Sequence, residues 1–160
     1  MHVNIIDSIK AALEERGAKI STAESCTSGY ISGLLTSIPG SSNYFEGSAV
    51  VYSINAKKNV LGVDSELIKE YTEVSAEVAC DMANKVKELM GTQYSIASTG
   101  YADVAGYGTE KNPPGTIYVA ISTPEGTFCE KLRYHDTRGR NIYLASMEGL
   151  DMILSHIKTH

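Results

Sequence analysis

Apolar positions recur along this chain with two periods, and the alternation between them marks out its elements. Ile6, Ile9 and Leu13, with Ile5 and Ala12 beside them, follow the three-to-four spacing of one helix face and predict a helix over 4–16, stopped at Gly17. AKIST (18–22) is short and predicts a strand. SGYISGLLTSI (28–38) returns to helical spacing through Tyr30, Ile31, Leu34, Leu35 and Ile38, ending before Pro39-Gly40. Ser25, Cys26, Thr27 and Ser28 therefore crowd a strand-to-helix junction. SAVVYS (48–53) is β-branched and strand-like, and 55–62 and 64–71 predict two short helices divided at Gly62. Val78, Met82, Val86 and Leu89 share one face of a longer helix, with Ser75 as N-cap and Gly91 as stop. Residues 93–99 predict a strand, 115–123 and 127–134 a hairpin around PEG, and about 140–158 a final helix with Ile142, Ala145, Leu150, Ile153 and Ile157 inward.

The order α-β-α-β-α-α-β-β-β-α predicts a single domain over 1–160: a three-layer α/β/α sandwich on a mixed sheet, parallel early and antiparallel late. With 160 residues, 42% hydrophobic and 21% charged, the chain can bury a core without covalent staples. A net charge of −5 and no basic stripe argue against a broad nucleic-acid face, though not against a small anion held by a few groups. Cys26, Cys80 and Cys129 form neither a disulfide framework nor a metal spacing, so reduced thiols in the cytoplasm, and no metal, are expected. The first nineteen residues carry charges throughout, so neither a signal peptide nor a membrane span is expected. Residues 100–114, GYADVAGYGTEKNPP, make a loop too long to be a simple connector, and such loops are usually functional or disordered.

The hydroxyl cluster reads in two ways. Ser25 or Thr27 could cap the following helix, or Ser25 could be an exposed nucleophile whose oxyanion is held by the first helical N–H groups. Both can hold together, with Thr27 or Ser28 capping and Ser25 reacting. A serine needs a base. His2, His156 and His160 sit at the chain ends, which leaves only His135 for an imidazole base. A lysine held neutral by burial is the alternative, and Lys57 lies one helical turn beyond Tyr52. Taken alone, Lys57 also reads as a solvated helix lysine, and Cys26 as a small buried filler or a rival nucleophile. Gly100, Gly106 and Gly108 could free backbone amides for an anion, and Arg138 and Arg140 are either solvated or a phosphate clamp.

These segments also occur in a known order. TAESCTSGY (22–30), PGSSNYFEGSAVVYSINAKKNVLGV (39–63), VSAEVACDMA (74–83), ASTGYA (97–102), NPPGTIYVAI (112–121) and TRGR (137–140) together resemble the CinA C-terminal domain family, over nearly the whole chain. That family includes the stand-alone nicotinamide-nucleotide amidase PncC. The resemblance implies hydrolysis of nicotinamide mononucleotide to nicotinate mononucleotide and ammonia, with no cofactor, a pyridine nucleotide as the small-molecule partner, and homo-oligomers. It assigns Ser25 as nucleophile with Tyr52 and Lys57 beside it, and places Thr99, Gly100 and Arg138 at the substrate; Thr27 and Gly106 join them as substrate-binding candidates. Four departures stand out. Ser28 replaces a glycine of TAESCTGG, Gly47 an arginine, Ile54 the asparagine of YSN, and GYADVAGYG the motif GIAGPGGG. Asp103 in that loop would repel a phosphate dianion unless Arg138 or Lys111 offsets it. Three expectations follow: the family's amidase, an amidase for a different substrate such as a non-phosphorylated one, or a binding module that kept the scaffold without turnover.

Overall fold

A computed structural model describes residues 2–160, with side chains from Ile5 onward. Its elements are α1 (His2–Arg16), β1 (Ile20–Glu24), α2 (Tyr30–Leu35), a 3-10 turn (Ser41–Asn43), β2 (Phe45–Val50), α3 (Ile54–Asn59), α4 (Ser65–Tyr71), α5 (Ala76–Met90), β3 (Tyr94–Gly100), β4 (Thr116–Thr123), β5 (Gly126–Arg133) and α6 (Arg138–Lys158). The five strands form one sheet in the order β2-β1-β3-β4-β5. β1 runs parallel to β2 and β3, while β4 and β5 add antiparallel.

Alternation of side chains gives each central strand two apolar faces. Ile20, Ile96, Ile117, Val119 and Ile121 pack under α1, α2 and α6. Ala23, Ala97, Tyr118 and Ala120 face α5. The helix α6 approaches so closely at Gly149 that an added Cβ would lie 2.8 Å from Ile96 Cγ2. At the far end of α6, His156 Nε2 meets Glu125 Oε1 at 2.7 Å and ties the helix to the β4–β5 turn.

Two differences from the predicted pattern have a direct physical reason. β1 runs two residues past Thr22, because its polar side chains are buried with partners of their own. Ser21 Oγ meets Thr92 Oγ1 at 2.8 Å, and Thr22 Oγ1 bonds Ser48 Oγ at 2.6 Å. A polarity pattern ends the strand where hydroxyls begin, whereas paired hydroxyls carry it on. Leu89, expected on the buried face of α5, is exposed beside Leu61, while Ala79 and Ala83 complete that face.

Candidate active site

The strand order sets where a site can form. β1 leads through α2 to β2 on one side, while its other neighbour is β3, so the connections diverge above the carboxyl ends of β1 and β3. Open α/β sheets bind ligands in the crevice at such a switch point. Ser25 immediately follows β1, and its amide extends the ladder to Ser98 O at 3.1 Å. Thr99 and Gly100 end β3. A cleft of about 490 Å³ opens there, lined by Ser25, Cys26, Tyr52, Lys57, Thr99 and Gly100, among others.

The α3 helix delivers the base. Ser53 caps it, accepting from the Ala56 amide at 3.0 Å, and this starts the turn that carries Lys57 inward. Lys57 is 1% exposed. Its Nζ lies 2.8 Å from Ser25 Oγ, 2.9 Å from Tyr52 O and 3.1 Å from Val51 O. Nζ donates to all three oxygens, and Ser25 Oγ in turn donates to Tyr52 O at 3.1 Å. Once the amine is neutral, turning the serine proton from that carbonyl onto its lone pair makes the 2.8 Å contact a path for proton transfer. Burial pushes the Lys57 pKa below its ordinary value, against the weaker opposing pull of Cys26 and Glu73. Cys26 is also buried, and desolvation raises its thiol to about 11. His135 is exposed, and among the described residues no histidine lines the cleft.

The junction differs from expectation in one respect. Neither Thr27 nor Ser28 caps α2, whose N-cap is Gly29 without a side-chain bond. Instead Glu24, the last residue of β1 and fully buried, turns its carboxylate onto the helix start. It accepts from the amides of Gly29 (3.1 Å), Ile31 (2.9 Å) and Ser32 (2.9 Å) and from the hydroxyls of Thr22 and Thr27. The α2 amides are thus occupied and cannot form the oxyanion hole. Among the described residues, no oxygen accepts from the amides of Cys26 and Thr27, the nearest such donors in sequence to Ser25, although the Cys26 amide also lies against its own sulfur. Glu24→Ala should orphan three amides, leave the Thr22 and Thr27 hydroxyls only their Ser48 and Ser98 partners, and destabilise the fold by about 3 kcal/mol, which a urea titration would register. An unchanged midpoint would show that Glu24 does not hold the junction.

The remaining predicted residues divide. Thr27 is buried beneath the site, its hydroxyl held by Glu24 and Ser98 at 2.7 Å each. Thr99 Oγ1 donates to Glu73 O at 2.6 Å. Gly100 is set by packing: a Cβ there would sit 2.6 Å from Thr116 O. Tyr52 is 57% exposed and reaches Ser25 and Lys57 through its carbonyl, while its phenol accepts from Arg138 Nη2 at 3.0 Å. Arg138 Nη1 in turn pairs with Asp103 Oδ2 at 3.0 Å. Gly106 does not line the cleft, whereas Tyr107, Gly108 and Thr109 do, together with Glu73 and Val74. Glu73 stands in no motif and Val74 opens the VSAEVACDMA segment without a functional side chain; both enter the cleft because the α4–α5 connection lies against the end of β3, where Thr99 bonds Glu73 O.

Comparison with known proteins closes the question of kinship. The family model for the CinA C-terminal domain matches residues 3–157. The chain belongs to the CinA C-terminal domain family. It is 45% identical over 141 residues to a CinA-like protein of Acidobacterium capsulatum, covering 88% of this chain and 34% of that protein. It is 43% identical over 145 residues to a CinA-like protein of Flavobacterium psychrophilum, covering 91% and 34%. The chain therefore spans about a third of the length of these relatives. A solved competence/damage-inducible protein from Agrobacterium tumefaciens superposes with a TM-score of 0.90 at 30% identity, covering 95% of this chain and 93% of that one. A CinA-superfamily protein from Klebsiella pneumoniae gives 0.94 over 100% and 99% at 24% identity, a likeness of fold.

The departures from the CinA motifs now have physical readings. Ser28 has φ +51°, a left-handed conformation that glycine adopts freely and serine adopts at a cost of about 1–2 kcal/mol. At Gly47 an added Cβ would lie 3.2 Å from Met90 Sδ, so Met90 fills the side-chain space there. Ile54 is 41% exposed at the start of α3. Among the described residues, one group could hold a metal: Glu125, His156 and His160. Glu125 sits in the β4–β5 turn, at the opposite end of the sheet from Ser25. The two imidazoles stack face to face at 4.1 Å, so their in-plane lone pairs run side by side rather than converging. Among the described residues, no helix is long and apolar enough to cross a membrane.

Proposed function

We propose that this CinA domain is a serine–lysine amidohydrolase acting on a nicotinamide-type carboxamide, with nicotinamide mononucleotide as the reference substrate that the family resemblance implies. One observation carries the reading: a buried amine 2.8 Å from a serine hydroxyl, aimed there by two carbonyls that accept from it, with burial favouring its neutral form. Ser25 Oγ attacks the carboxamide carbon as its proton passes to Lys57 Nζ. The Cys26 and Thr27 amides receive the oxyanion. The tetrahedral intermediate collapses, Lys57 returns the proton to the departing nitrogen, and ammonia leaves with an acyl ester on Ser25. Water, deprotonated by Lys57, then attacks the ester and releases the carboxylate and free serine. Cys26 is unsuited to the first step, because its raised pKa leaves little thiolate near neutrality.

Ammonia release from a panel of pyridine carboxamides and simple amides tests the proposal directly. Stoichiometric conversion of carboxamide to carboxylate is expected. Tight binding of a carboxamide with no ammonia would instead make the domain a binding module on the same scaffold.

A further inference from the structure

We infer that Asp103 is a specificity residue that turns the site away from phosphate-bearing carboxamides and towards their dephosphorylated counterparts. This rests on the amidohydrolase reading and names its substrate class. The charge inventory is the starting point. The cleft and the adjoining cavity that holds Arg138 are lined by two carboxylates, Glu73 and Asp103, and two basic groups, Lys57 and Arg138. With Lys57 neutral, as the base must be, the lining is net negative, and with Lys57 protonated it is at most neutral. Lys111 lines neither cavity. A phosphate dianion therefore finds no unmatched cation.

Arg138 is the one cation there that a ligand could reach, and both ends of its guanidinium are engaged, Nη1 by Asp103 and Nη2 by the Tyr52 phenol. The pairing is built into the loop. Asn141, fully buried in the first turn of α6, donates to Ala102 O at 2.8 Å and fixes the residue before Asp103. Gly106 folds back so closely that an added Cβ would lie 3.0 Å from Asp103 Cβ. Beyond it, Asn112 ties the loop exit to Val74 O at 2.9 Å and to the Tyr118 phenol at 2.8 Å. Asp103 and Arg138 are half-exposed, so their ion pair is weak and a phosphate could displace it. The displaced carboxylate would remain within a few ångströms of the dianion, however, and that repulsion is worth about tenfold in affinity. An uncharged or cationic carboxamide, such as a pyridinium nucleoside, meets no such opposition.

The experiment compares nicotinamide mononucleotide with its dephosphorylated nucleoside on the wild-type chain and on Asp103→Asn, which keeps the shape and removes the charge. Ammonia release gives the kcat/KM ratio, and calorimetry on the Ser25→Ala background gives the ratio of dissociation constants. The wild type should favour the nucleoside, and Asp103→Asn should move both ratios about tenfold towards the nucleotide. A wild type that prefers the nucleotide, or ratios that Asp103→Asn leaves in place, overturns the inference while amide hydrolysis stands. If neither compound releases ammonia, the amidohydrolase reading fails, and the binding ratios still decide the role of Asp103.

Discussion

Replacing Ser25 with alanine should lower ammonia release at least about 10³-fold while leaving the fold intact, because nucleophile and base act as a unit. The substitution removes a hydroxyl that meets Lys57 Nζ at 2.8 Å and Tyr52 O at 3.1 Å, and nothing else in the contact network depends on it. Lys57 keeps both carbonyl partners, so the variant should remain folded with its cleft open. Cys26→Ala is the control. Its thiol is buried and protonated, and its loss should cost no more than about tenfold through packing. Equal damage from the two substitutions, with circular dichroism unchanged, would transfer the nucleophile to Cys26.

Lys57→Met should be comparably inactive, and its pH behaviour separates a base from a structural amine. The reactive form is the neutral amine. Wild-type kcat/KM should therefore rise with pH through a limb below the 10.5 of an unperturbed lysine, since burial lowers the folded pKa. Stability carries the same sign. Between the lowered folded pKa and the ordinary value the unfolded chain binds more protons, so stability climbs with pH across that window and the penalty is fully present below it. Methionine fills much of the same space without a proton to lose. Denaturant midpoints for Lys57→Met should lack that part of the rise. Lys57→Arg should also be inactive, because a guanidinium cannot act as a base near neutrality. A rate limb that persists in Lys57→Met would show that another group supplies the base.

The sequence by itself determined the layers and most of the elements. Apolar spacing placed α1, α5 and α6, turn residues placed the β4–β5 hairpin, and the order of helices and strands implied a mixed sheet. Motif order also carried the family. Ser25, Tyr52 and Lys57 were legible as candidates because they stand in recognisable segments, one after β1 and two around the start of α3. What each does was decided only by tertiary structure. Lys57 read locally as a surface lysine, and it became a buried amine because the Ser53 cap and the β1–β2 pairing bring α3 over the end of β1. Tyr52 contributes its carbonyl, and no side-chain motif encodes a carbonyl's direction. Glu24 displaced the expected hydroxyl caps because β1 runs to its own last residue, which aims a carboxylate at three amides of the next helix. The Asp103–Arg138 pair joins residues thirty-five positions apart. Sequence periodicity reports which face of an element is apolar, a local property of a few turns. The charge and protonation of a cleft depend on which distant groups share it, and only the folded chain sets those distances.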